Sequence, residues 1–167
     1  MNEKDLLVVS ALRNNSRQTL SRMSREIRVP LSTIHDRIKG LKGGIIRKHT
    51  SIVDFSQIGF YTRAFVLLKV KKEERNKLQE VLQSCSHINC LAKINNGFDF
   101  MVEMIFEHIK DMEDYLESLE QKFLFENKNL FYIVDDIKRE DFLSNPKVAK
   151  MIVKGPKSFI NSRPNLI

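Results

Sequence analysis

Long apolar runs are missing from this chain. No stretch approaches the roughly 18 consecutive apolar residues that a membrane-spanning helix needs, and Met1-Asn2-Glu3-Lys4 lacks the apolar centre of a secretory leader. A cytoplasmic protein with no membrane partner is the expectation. Cysteine is scarce too: the 167 residues hold two, Cys85 and Cys90, in neither a Cys-x-x-Cys pair nor a cluster with histidine. That spacing supports neither a disulfide framework nor a structural zinc site. Both thiols are expected to be buried, one near the end of a helix and one in the next strand. No nucleophile stands with a general base, so no catalytic residue, metal or cofactor is expected.

What is present is a globular composition, 42% hydrophobic, in a chain long enough for one large domain or two small ones. The net charge of +7 is unevenly spread. Residues 1–50 carry 11 Lys and Arg against 4 Asp and Glu, residues 51–144 carry 12 against 17, and residues 145–167 carry 5 against none. A basic head, an acidic middle and a basic tail are what a nucleic-acid module joined to a different domain would show.

The first fifty residues read as helices. Asp5 to Arg13 repeats Leu6, Val9 and Leu12 at helical spacing with Val8 widening the apolar face, and Asn14-Asn15-Ser16 breaks it. A second helix from about Thr19 to Ile27 turns Leu20, Met23 and Ile27 inward and leaves Arg17, Arg22, Arg25 and Arg28 for solvent or phosphate. Pro30 suits the first position of a third helix, because its fixed φ is helical and its missing N–H would be an orphan donor anyway. Leu31, Ile34, Ile38 and Leu41 form one stripe there, while Ser32, Thr33, Asp36 and Lys39 lie opposite and His35 and Arg37 on the flanks. Short polar groups in the first turn with cations further along suit a helix that lies in a major groove and reads base edges. Gly40, Gly43 and Gly44 end it, and residues 45–52 read as an extended wing offering Arg47 and Lys48 to phosphates.

Beyond a hinge at 53–61 the periodicity changes. Residues 62–70 alternate as a strand, 73–85 are helical, 88–94 form a strand, and Asn95-Asn96-Gly97 signals a hairpin. Residues 98–106 return as a strand, Ile109, Met112, Leu116, Leu119 and Phe123 mark a helix, and 129–135 supply a fourth strand. The order β-α-β-β-α-β is a ferredoxin-like arrangement, so the fold class is α+β with a winged helix-turn-helix in front. Two helices cover one face of four strands. Since these strands are apolar on both faces, the other face needs a partner, most simply a second copy of the chain. The domains expected are thus 1–52 for DNA binding, 53–61 as hinge, 62–141 for dimerisation, and 142–167 as a basic extension with a short helix near Lys147 to Val153.

Asp5-Leu-Leu-Val-Val-Ser-Ala-Leu12, Asn15-Ser-Arg17, Ser32-Thr-Ile-His-Asp-Arg-Ile-Lys-Gly-Leu41, Gly44-Ile-Ile46 and Ile58-Gly59 occur in the order seen in the Lrp/AsnC family of feast/famine transcription regulators. Over roughly residues 4–141 the chain resembles that family. The resemblance implies a dimer or octamer that binds double-stranded promoter DNA, with a second domain that senses a small molecule, often an amino acid, where subunits meet. The family's Gly-x-Tyr-Asp effector turn corresponds here to Asn96-Gly97-Phe98-Asp99, with the glycine displaced and the tyrosine hydroxyl lost; Asp99 is retained as a partner for an ammonium group. Lys4 and Arg28 depart from the family pattern, Arg28 standing where a small turn residue is usual.

Two other readings stand beside a sequence-specific regulator. An architectural DNA-binding protein of low specificity would share every feature above. An enzyme resembling the siroheme decarboxylases would share the two-domain arrangement, but their histidine-containing motif is replaced by Asn89-Cys90-Leu91 on the second strand.

Overall fold

The computed structural model describes residues 2–153, with side chains to residue 151, and divides the chain into two compact units. Residues 52–136 form one. The other joins residues 1–51 to the segment that begins at Ile137. Among the described residues, the unit that holds the N-terminus carries 15 Lys and Arg against 6 Asp and Glu, and residues 52–136 carry 10 against 15.

In the unit that holds the N-terminus, α1 (Glu3–Asn14), α2 (Leu20–Ile27) and α3 (Leu31–Leu41) are joined by α6 (Pro146–Val153). Asn2 opens α1 with a capping box: its side chain accepts from the Asp5 N–H, and the Asp5 carboxylate accepts from the Asn2 N–H. Thr19 caps α2 by accepting from the Arg22 N–H at 3.2 Å. The core is Leu7, Val8, Ala11, Met23, Ile27, Val29, Ile34 and Leu41. Two inward assignments shift. Val8 is fully buried while Val9 and Leu12 are only half-buried, and Leu31 is 47% exposed, because it sits at the first position of α3, one turn beyond the residues that meet α1 and α2. The α3 stripe is therefore Ile34, Ile38 and Leu41.

After α3 the chain makes a single bridge between Lys42 and Ile46, and residues 47–54 form no strand. Extended backbone becomes a strand only against a partner edge, and exposed residues 47–52 have none. Within the hinge, Phe55–Ile58 makes one turn of 3-10 helix, with Asp54 accepting from the Ser56 N–H and hydroxyl.

In the second unit, β1 (Thr62–Val70), α4 (Arg75–Ser84), β2 (Ile88–Lys93), β3 (Phe100–Phe106), α5 (Ile109–Glu120) and β4 (Phe125–Tyr132) make an antiparallel sheet in the order β2-β3-β1-β4. Ala64, Val66, Leu68 and Val70 alternate onto the helix side, where they meet Val102, Met104, Leu78, Leu82, Met112 and Leu116. β4 starts at Phe125, earlier than its apolar content suggests. It is an edge strand, so Glu126 and Lys128 remain exposed or half-exposed while the backbone pairs with β1. Asn96 (φ 63°) and Gly97 (φ 92°) supply the two successive left-handed residues that the β2–β3 turn requires.

Register and alternation place Phe65, Leu67, Met101 and Phe131 on the sheet face away from α4 and α5, and Phe131 is 52% exposed. Cys90 lies on that face as well and is exposed, not buried; Cys85, after α4, is half-buried. Two residues of this face are buried, Ile105 at 7% exposure and Glu103 at 4%. Arg63 Nε and Asn89 Nδ2 each donate to its carboxylate at 2.6 Å, and Arg63 Nη1 also reaches Asp136. Burial works against the Arg63 charge, but Asp136 and Glu103 outweigh it and raise the pKa.

Candidate nucleic-acid interface

Local chemistry shapes the α2–α3 turn. Arg28 ends α2 in the left-handed region, at φ 56°, and reverses the chain. The Ser24 hydroxyl donates to the Val29 carbonyl at 2.7 Å, and buried Val29 anchors the turn in the core. Pro30 stands at the N-cap, one position before its expected place, and offers no side-chain cap. The first N–H groups of α3 are thus left for an outside acceptor, at the helix end that favours anions.

From this platform α3 presents exposed Ser32, His35, Asp36 and Lys39, with Thr33 half-buried. His35 Nδ1 lies 3.5 Å from Asp36 Oδ1, so these two flank one another on the outer surface. Arg37 takes a different position from the rest. It is half-buried, and its Nη1 donates to Asp5 Oδ1 at 3.0 Å, clamping α3 to the start of α1. The Asp5 pKa is lowered first by the hydrogen bond from the Asn2 N–H, against a desolvation cost, with the Arg37 charge adding to the effect.

The cations expected at phosphates are exposed. Arg17 follows the Asn15 turn, whose side chain accepts from the Arg17 N–H, and Arg25 lies on the outside of α2. Arg22 is held by Glu26 one turn along, at 2.9 Å. Arg47 and Lys48 are exposed in the irregular segment after α3. Ser32 to Lys39, Arg17, Arg22, Arg25, Arg47 and Lys48 thus belong to one compact unit. Leu31, exposed at the leading end of α3, joins the candidate readers because its apolar side chain suits a thymine methyl group; the helical stripe concealed it.

The residues expected at an effector belong to the other unit. Asn96 and Gly97 are exposed at the tip of the β2–β3 turn. Asp99 points elsewhere: its carboxylate accepts from the Val70 N–H at 3.1 Å, and Arg75 Nη2 and Lys69 Nζ lie at 2.9 and 3.4 Å. It fastens β3 to β1 and α4, and the chain's own cations occupy the place expected for a ligand's ammonium group.

Among the described residues no group of His, Cys, Asp and Glu is arranged to hold a metal ion, and no helix is long and apolar enough to cross a membrane.

No family model matches the chain. Its relatives include the HTH-type transcriptional regulator FL11 of Pyrococcus horikoshii, 26% identical over 120 residues, which span 71% of this chain and 80% of that protein. Among solved structures, B. subtilis LrpC superposes with a TM-score of 0.73 at 20% identity, covering 83% of this chain and 97% of that one. E. coli AsnC gives 0.71 at 17% identity, with 83% and 95% covered. A transcriptional regulator of Neisseria meningitidis in complex with L-Met gives 0.75 at 15% identity, with 83% and 93% covered. The chain is therefore a relative of HTH-type transcriptional regulators, built on the Lrp/AsnC fold.

Proposed function

We propose that the protein is a sequence-specific transcriptional regulator that binds double-stranded DNA as a homodimer. The observation that carries this reading is α3, whose outward surface offers Ser32, Thr33, His35, Asp36 and Lys39 behind an uncapped N-terminus on the basic unit. One such module buries only about 600–1,000 Å² on DNA. A dimer places two of them on half-sites about 34–36 Å apart. The sheet face bearing Phe65, Leu67, Met101 and Phe131 suits the self-complementary contact that a two-fold dimer needs. Arg17, Arg22, Arg25, Lys39, Arg47 and Lys48 contact phosphates and set register; the α3 residues discriminate sequence.

The test is affinity for DNA upstream of the protein's own gene against shuffled DNA at one salt concentration. Specific binding exceeds non-specific binding by about a thousandfold or more. Equal affinity for both duplexes would leave the architectural reading, and no binding to either would end the DNA reading altogether.

The L-Met complex of the Neisseria protein supports a second element, an amino-acid effector, for which the resemblance to Lrp/AsnC regulators implies a site where subunits meet, near Asn96 and Gly97. A thermal-shift series over the common amino acids tests it, since a ligand at 100 times its Kd stabilises by about 2.7 kcal/mol. A flat series would leave a regulator without an amino-acid effector.

A further inference from the structure

The returning segment brings two lysines to the helix-turn-helix. A recess of about 240 Å³ is lined by Leu7, Ile27 and Pro146 together with Arg28 from the α2–α3 turn and Lys147 and Lys150 from α6. Ala149 is fully buried on the other side of α6, so the two lysines stay exposed while the helix lies against α1. Glu26 also lines the recess, but its carboxylate is engaged by Arg22. Arg28, Lys147 and Lys150 make no ion pair among the described residues.

Arg28 carries a second sign of purpose. Its φ of 56° is a conformation that glycine adopts freely and a β-carbon disfavours. An arginine at such a position is strained where a glycine would turn the chain freely, and backbone strain of this kind gathers at functional sites.

We propose that this recess binds phosphate, and that the phosphate is a DNA backbone group outside the groove read by α3. The inference rests on the DNA-binding reading above. Three unpaired cations converge on one concave surface next to the turn that leads into α3, so a duplex seated on α3 has its flanking strand within their reach. The C-terminal segment thereby widens the contact by two cations that the helix-turn-helix lacks.

The experiment follows binding of the full chain to one duplex by fluorescence anisotropy as salt rises from about 50 to about 200 mM. Each phosphate contact contributes about 0.9 to the slope of log affinity against log salt, so Lys147→Gln with Lys150→Gln makes the slope shallower by about 1.8, and Arg28→Gly by about 0.9. Lys77→Gln with Lys110→Gln, the same charge change on exposed residues of the other unit, leaves the slope as it was. Arg28→Gly also raises the Tm while weakening binding, a combination that a purely structural role would not produce. Circular dichroism checks that α6 persists; if the double variant unfolds it, Arg28→Gly decides alone. A wild-type slope retained by the recess variants overturns the inference and leaves the DNA reading intact, whereas a wild type that binds no duplex overturns both. Stabilisation by inorganic phosphate or pyrophosphate that the double variant loses, with an unchanged DNA slope, would assign the recess to a free anion and overturn the commitment to DNA.

Discussion

The Arg13 guanidinium at the end of α1 donates through Nε to the Phe142 carbonyl at 2.5 Å, across 129 positions of sequence. Its Nη2 reaches the Glu140 carbonyl at 2.9 Å and the Glu140 carboxylate at 3.0 Å. One side chain thus gathers three acceptors from the segment that leads into α6. That segment turns sharply, with Glu140 at φ 52° and Leu143 at φ 63°, and lines a cavity of about 970 Å³ with Asn14.

Arg13→Ala is expected to release this segment. The contacts are partly exposed, so the loss is about 1 kcal/mol. Hydrogen exchange of the Ala149 amide, bonded to the Asn145 carbonyl at 3.0 Å, should speed up while the amides of β1 stay protected. Unchanged exchange in α6 would show that its packing on α1 is sufficient without Arg13.

Ile34 is fully buried between α3 and the rest of its unit. Ile34→Ala should cost about 2–5 kcal/mol, since the cavity adds to the lost burial, and should abolish DNA binding. Because the sheet has its own core, β1 amides should keep their protection in the same variant.

Acid should weaken the N-terminal unit through Asp5. Its pKa is lowered in the folded chain, so below the ordinary carboxylate range the unfolded chain takes up the proton more readily. The stabilisation is fully present above that range and disappears as pH falls through it towards the lowered value. Asp5→Asn should flatten this part of the pH–stability curve, and a curve of unchanged steepness would assign acid sensitivity elsewhere.

Asp36 separates reading from repulsion. It is exposed beside His35 on the surface of α3. A carboxylate that accepts from a cytosine amino group confers about 1–3 kcal/mol of discrimination at one position. Asp36→Ala should relax preference there in a selection over randomised duplexes. Uniformly tighter binding to all sequences would instead identify Asp36 as a charge that holds phosphate away.

Phe131 tests the proposed dimer. Phe131→Asp puts a charge on the sheet face away from the helices, where the side chain is half exposed and outside the core. Sedimentation should show dissociation to monomers at concentrations where the wild type remains dimeric, with the single-chain fold intact. Persistence of the dimer would move the interface off this face.

Much of the architecture was legible because periodicity reports which side of an element is dry. The two-residue alternation of Ala64 to Val70 and the helical spacing of Met112, Leu116 and Leu119 identify a sheet with helices on one side, and Asn96-Gly97 announces a turn through its backbone preference. Leu31 falls on the α3 stripe yet is exposed for the same reason: a stripe gives direction around a helix but does not say where along the axis its neighbours stop. Whether the extended residues 45–52 pair as a strand is likewise hidden in the sequence, because pairing depends on a partner edge that those residues do not contain.

By itself the sequence determined the helices, the order of the elements and the polar surface of α3, all of which are written in patterns a few residues long. Tertiary structure decided what long-range partners do to individual side chains. It set Arg37 on Asp5, turned Asp99 towards Val70 and Arg75, and returned Lys147 and Lys150 to the neighbourhood of Arg28. Periodicity carries no information about such pairs, because their geometry depends on where two distant segments of backbone come to rest against a common core.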